Sequence, residues 1–175
     1  MHYRKLGRKT LIAAAAATVT LTGAATGVAA STGPGTGAPA RHGNLLRSGL
    51  IGRPVAADLD VAIRGVPPGG VPWALDRGTA RVSATGRVRV EVDGLVITGT
   101  GTALDGTTGP VLKVVAALTC DGTAPTIVTT AAVPLSAGGD ARIDQQVALP
   151  PTCLAPIVLV RANSSTGPWI AATGF

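Results

Sequence analysis

The chain has little with which to build an active site or a stacking surface. Only 2% of its 175 residues are aromatic, namely Tyr3, Trp73, Trp169 and Phe175, too few rings to stack a run of nucleic-acid bases. Nucleic acid is therefore not an expected partner. Histidine occurs twice, as His2 and His42, so a triad that uses histidine as its base lacks that base, and a histidine-rich metal site lacks its ligands. Glu91 is the single glutamate beside eight aspartates, and a glycosidase-type carboxylate pair has to come from aspartates or from Glu91 with one of them. No segment carries the 3.6-residue apolar period of an amphipathic helix. Neither enzymatic activity nor a cofactor is expected.

What is present points to export. Arg4, Lys5, Arg8 and Lys9 precede a short apolar run from Leu11 to Leu21, and Val28-Ala29-Ala30-Ser31 follows, which is the three-part layout of a secretory signal peptide cut after Ala30. The segment from Leu11 to Ala30 is long enough to reach across a bilayer, but its Ala, Thr and Gly residues give little transfer free energy. No membrane attachment is expected after cleavage. The leader holds four of the 15 basic residues and none of the nine acidic ones, so the formal charge falls from +6 to +2 on processing. The sequence pI of about 10.4 thus overstates the affinity of the mature chain for polyanions. In an oxidising compartment the only cysteines, Cys120 and Cys153, are expected to form a disulfide. They have neither a Cys-x-x-Cys spacing nor nearby histidines for a redox or metal role.

Residues 1–30 are accordingly read as the signal peptide, 31–50 as a flexible Gly/Pro-rich segment and 51–175 as the folded domain. At 46% hydrophobic residues with 24 Gly and 13 Pro, the composition is too apolar for disorder and too rich in turns for a helical bundle. From Val55 the pattern has period two, with Ala57, Leu59, Val61 and Ile63 on one side and Asp58, Asp60 and Arg64 on the other, which predicts a strand. The Gly65 to Pro72 stretch ends it in a loop. Ala80 and Val82 then face the same way as Val88, Val90 and Val92, while Arg81, Arg87, Arg89 and Glu91 face the opposite way. A three-residue loop, Ala84-Thr85-Gly86, pairs Val82 with Val88 and Arg81 with Arg89, and gives Gly86 the left-handed position. Similar matching pairs Val133 with Ile143 and Leu135 with Ala141 around Ser136 to Asp140. Further strands are expected at Leu95 to Ala103, Val111 to Cys120, Thr126 to Leu135, Ala141 to Leu149, Pro156 to Ala162 and Pro168 to Thr173. The expected fold is all-β, an antiparallel two-sheet β-sandwich, Ig-like or jelly-roll-like, with one disulfide.

Several segments carry a resemblance: Pro72-Trp73-Ala74-Leu75-Asp76, Leu149-Pro150-Pro151-Thr152-Cys153, Ile157-Val158-Leu159-Val160-Arg161 and Gly167-Pro168-Trp169-Ile170-Ala171. They make residues 50 to 175 similar to small, uncharacterised secreted proteins of high-GC actinomycetes. That resemblance implies export and a compact domain, and it transfers no active site.

Three candidate sites follow from the residues themselves. Arg81 opposite Arg89, with Arg87 beside them, sets like charges side by side; the face is either compensated locally by Asp76, Glu91 or Asp93 or open to an anionic partner. Trp73 and Trp169, each at a strand start, are read as rings that fill an interior with few other large side chains, with an exposed sugar platform as the alternative. Asp58 and Asp60 share a strand face as a carboxylate pair or calcium edge or, more simply, as a solvated strand face. Asp105-Gly106 and Asp121-Gly122 read as turns rather than calcium loops. The expected function is that of a secreted, non-enzymatic surface-contact or structural protein of the cell envelope or extracellular space. Its partner would be a cell-wall polymer or an extracellular protein. The alternatives are an exported hydrolase inhibitor presenting Asp121 to Pro125, a carbohydrate-binding module that uses the tryptophans, and a self-assembling surface layer.

Overall fold

Alternating apolar and polar residues dictate most of the strands. The computed structural model describes residues 43–54, 61–121 and 126–174, and within them the regular structure is entirely β. The strands are β1 (Asn44–Gly49), β2 (Ile51–Gly52), β3 (Trp73–Ala74), β4 (Arg77–Ser83), β5 (Arg87–Asp93), β6 (Val96–Ile97), β7 (Lys113–Asp121), β8 (Thr126–Thr129), β9 (Val133–Pro134), β10 (Ala141–Gln146), β11 (Leu154–Ala162) and β12 (Trp169–Ala172). They form three sheets, ordered β1-β4-β5-β10, β2-β12-β11-β7-β8 with β9 also on β7, and β3-β6. Every strand pair is antiparallel. Among the described residues no helix is long and apolar enough to cross a membrane.

The β4–β5 hairpin has the register that its alternation requires. Val82 lies opposite Val88 and Arg81 opposite Arg89, and Gly86 takes φ 91° in the connecting loop. A two-residue loop would have put a valine and an arginine on the same face. Val82, Val88, Val90 and Val92, with Ala80 behind them, are buried and leave the intervening arginines in solvent. Strand β10 contributes Ala141 and Ile143 to the same buried face.

In the second sheet the alternation disappears because both faces are covered. Val114, Ala116, Leu118 and Cys120 of β7 share one core with the valines of the first sheet and with Val158 and Val160 of β11. On the opposite face Ala117, Leu159, Trp169 and Ala172 form a second cluster closed by Val66. A segment after Ile63 lies over that cluster. Ile63 and Val66 exchange both backbone hydrogen bonds at 3.0 Å, and the two residues between them, Arg64 and Gly65, have φ 49° and 80°. The Arg64 guanidinium donates to the Thr119 carbonyl at 2.9 Å, to Asp121 at 2.8 Å and to the Ala155 carbonyl at 2.7 Å. Gly69 donates to Trp169 O at 2.8 Å, and Trp169 N donates to Pro67 O at 2.9 Å. Close by, the Cys120–Cys153 disulfide ties the end of β7 to the residue before β11.

Four expectations change. The segment read as flexible through residue 50 contains β1, whose Leu45 and Leu46 pack against the main core; residues 31–42 lie outside the described residues. The strand expected from Val55 is described only from Val61. There Ile63 to Val66 make a tight turn, and Arg64 is a clamp rather than an outward strand position. The turn at Ser136 to Asp140 forms, with Ser136 N on Asp140 O at 2.9 Å, but its arms part: Ile143 pairs with Val90 and Val133 with Val114. Pro134 has no N–H to extend a ladder, and the apolar side of β10 matches that of β5. The expected strand from Leu95 to Ala103 shrinks to Val96–Ile97, since Gly99 and Gly101 turn the chain at φ 66° and 67°.

Candidate functional site

The first sheet turns a dense array of side chains to solvent. Cross-strand register makes one row of Arg47, Arg81, Arg89 and Asp144, on β1, β4, β5 and β10 in that order. Neighbouring members stand about 5 Å apart, the spacing of adjacent strands. A parallel row holds Thr79, Glu91 and Arg142. Arg77 opposite Asp93, and Arg87 opposite Gln146, flank the rows on either side. Six arginines on this face thus meet three acids, Glu91, Asp93 and Asp144. All six come from the ten arginines that follow residue 30, where Lys113 is the only lysine.

The face is only partly neutralised. Arg87 grips Asp144 with two donors, Nε at 2.6 Å and a terminal nitrogen at 2.8 Å, and Arg89 Nε reaches the same carboxylate at 3.3 Å. That charge-assisted geometry holds the Asp144 carboxyl at about 2, with the Arg87 hydrogen bond as its chief cause. The Arg87 guanidinium is raised in return by the same hydrogen bond. Arg77 approaches Asp93 at 3.8 Å. Arg47, Arg81 and Arg142 form no ion pair among the described residues. Two adjoining depressions run over the array. One, of about 410 Å³, is bounded by Thr79, Arg81, Arg89, Glu91, Arg142 and Asp144; the other, of about 320 Å³, is bounded by Arg47, Ser48, Thr79 and Arg81.

The arginines expected on one side of the hairpin do share that side, in an array wider than the sequence showed. Arg81, Arg87 and Arg89 come together as expected, and Arg47 and Arg142 join them. Ala141 and Ile143 point inward, so alternation turns Arg142 outward, and the ladder of β10 with β5 sets it on this face. Arg47 sits in a Gly-flanked stretch with no clear period, and only the ladder with β4 places it.

The sugar platform is not formed. Trp73 is 4% exposed and Trp169 is 1% exposed, so neither ring offers a face to a sugar. In a domain with so few large side chains, these two rings fill the interior. The disulfide between Cys120 and Cys153 is present. Asp58 and Asp60 lie outside the described residues. Asp105 caps its own turn, accepting from Thr100 N at 3.0 Å, Thr100 Oγ1 at 2.8 Å and Gly101 N at 2.9 Å. Those bonds, the backbone one from Thr100 first, lower its carboxyl below the usual range. Of the stretch Asp121 to Pro125, only Asp121 is described, and it is paired with Arg64. The chain matches no protein family, no curated protein and no solved structure.

Proposed function

We propose that the chain is an exported, non-enzymatic protein of the cell envelope or extracellular space, and that it docks an anionic partner on the outer face of β1, β4, β5 and β10. The observation that carries this reading is the cross-strand row Arg47–Arg81–Arg89, in which like charges occupy adjacent strands. Opposed like charges destabilise a sheet, and a face selected only for folding has no use for three of them in line. A polyanion laid on the row removes that repulsion and releases its own counterions. Arginine is the suited cation, because its planar fork meets carboxylate or phosphate with two donors.

In this reading the two larger sheets stack as a β-sandwich. Support comes from a single core that draws Val82, Val90 and Ile143 from one sheet and Val114, Leu118, Val158 and Val160 from the other. Such a stack leaves the arginine face pointing away from the core. The disulfide fits an oxidising compartment, and the basic leader followed by an apolar run fits export. The non-enzymatic reading rests on residue types, since both histidines precede residue 43.

Co-sedimentation of the oxidised protein with cell-wall sacculi across a salt series tests the proposal. Binding is expected at low salt, fading as screening shortens the reach of the face. It is expected to vanish when Arg81→Glu and Arg89→Glu are combined. Full binding by that double variant at low salt would refute the proposal.

A further inference from the structure

The row does not end in solvent; it ends in a carboxylate. Asp144 occupies the fourth position after Arg47, Arg81 and Arg89. It takes two donors from Arg87 and one from Arg89, the engagement that an incoming carboxylate would need one or two strands earlier. All of these groups are exposed, so their pairing is not forced by burial. Thr79 edges both depressions along the row and brings a hydroxyl beside the guanidinia. Both tryptophans are buried, so these rings supply no stacking platform on this face for the bases of a nucleic acid.

We infer that the ligand is a carboxylate-bearing linear polysaccharide that crosses the strands along Arg47, Arg81 and Arg89, and that Asp144 is a resident carboxylate that competes for the far end of that track. The inference rests on the docking face proposed above and adds the ligand class, its direction and the role of Asp144. Acidic groups of the polymer meet the forks of Arg47 and Arg81, which have no acid partner among the described residues. Its sugar hydroxyls meet Thr79. At β5 the polymer meets Arg89, already shared with Asp144, and the like charge of Asp144 stops the track there. Asp144 thereby sets how many anionic groups are bound.

The test compares Asp144→Asn and Asp144→Ser with Asp93→Asn. All three remove one negative charge from the same face, but Asp93 lies off the row, opposite Arg77. Binding is measured with soluble polygalacturonate, with linear polyphosphate and with uncharged dextran, at several salt concentrations. Polygalacturonate is expected to bind and dextran not to bind. Both Asp144 variants are expected to bind polygalacturonate about tenfold more tightly, with a salt dependence steeper by about one to two contacts as Arg87 and Arg89 are freed. Asp93→Asn is expected to change affinity less than about threefold without a steeper slope. Equal tightening by the Asp93 and Asp144 variants would overturn the competing role and leave the docking face standing. Polyphosphate binding without polygalacturonate binding would overturn the carboxylate assignment. Failure of every polyanion to bind at low salt would overturn the docking face itself.

Discussion

Removing the disulfide, with Cys120→Ala combined with Cys153→Ala, gives an effect whose size follows from the chain path. The bond closes a loop whose ends are 33 residues apart. Loop-closure entropy for that length raises the free energy of the unfolded chain by about 4 kcal/mol at 25 °C. The native state has little to lose from the cut, because β7 and β11 are already zipped from Leu154 opposite Asp121 to Ala162 opposite Val114. Cys120 is a buried core member and alanine is smaller, so a modest cavity cost adds to the loss. Urea unfolding followed by tryptophan emission is the assay, with Trp73 and Trp169 as buried reporters. The variant is expected to keep the native emission spectrum, to lose about 4 kcal/mol of stability within a range of about 2 to 5, and to show a larger urea slope as its unfolded chain expands. A loss below about 1 kcal/mol, or a native spectrum shifted toward that of exposed tryptophan, would refute the argument that the bond acts on the unfolded chain.

Two other perturbations probe the packing and the ion pairs. Trp169→Ala removes the ring over which the segment around Val66 closes, and calorimetry is expected to show a loss of about 3 to 5 kcal/mol. In acid, the Asp144 carboxyl titrates at about 2 against about 3.9 in an unfolded chain. A depressed carboxyl contributes stability that is present above pH 4 and is lost as pH falls toward 2. Over that window wild-type protein is expected to lose more stability than Asp144→Asn, and equal losses would contradict the pairing with Arg87 and Arg89.

Strands whose two faces differ were legible in the sequence; strands covered on both faces were legible only as apolar runs. Val82, Val88 and Val90 alternate with arginines, and one physical requirement, apolar residues on a common side, fixed both the loop length and the register of β4 and β5. For β7 and β11, burial on both faces removed the alternation, so the sequence located the strands without naming their partners. The short turn from Ser136 to Asp140 resembles a hairpin in sequence, but β9 pairs with β7 and β10 with β5, so the chain crosses between sheets there. β1 was hidden because Asn44 to Gly49 owes its strand form to the ladder with β4 and not to a pattern of its own. The same facts divide the candidate site. Arg81, Arg87 and Arg89 lie on legible strands, whereas Arg47 and Arg142 join them only through long-range pairing. The tryptophans were placed at strand starts correctly, but their burial depends on which segments cover them, and no local pattern specifies that.

The most direct test of the docking face is a binding isotherm on cell-wall sacculi for oxidised wild-type protein and for the Arg81→Glu, Arg89→Glu variant. Salt is varied from about 20 to 300 mM, which shortens the screening length from roughly 20 Å to below 8 Å. The wild type is expected to bind at the low end and weaken at least tenfold across the series, while the variant binds at no salt concentration. Wild-type binding that is indifferent to salt, or equal binding by the two proteins, would contradict the assignment of the arginine face.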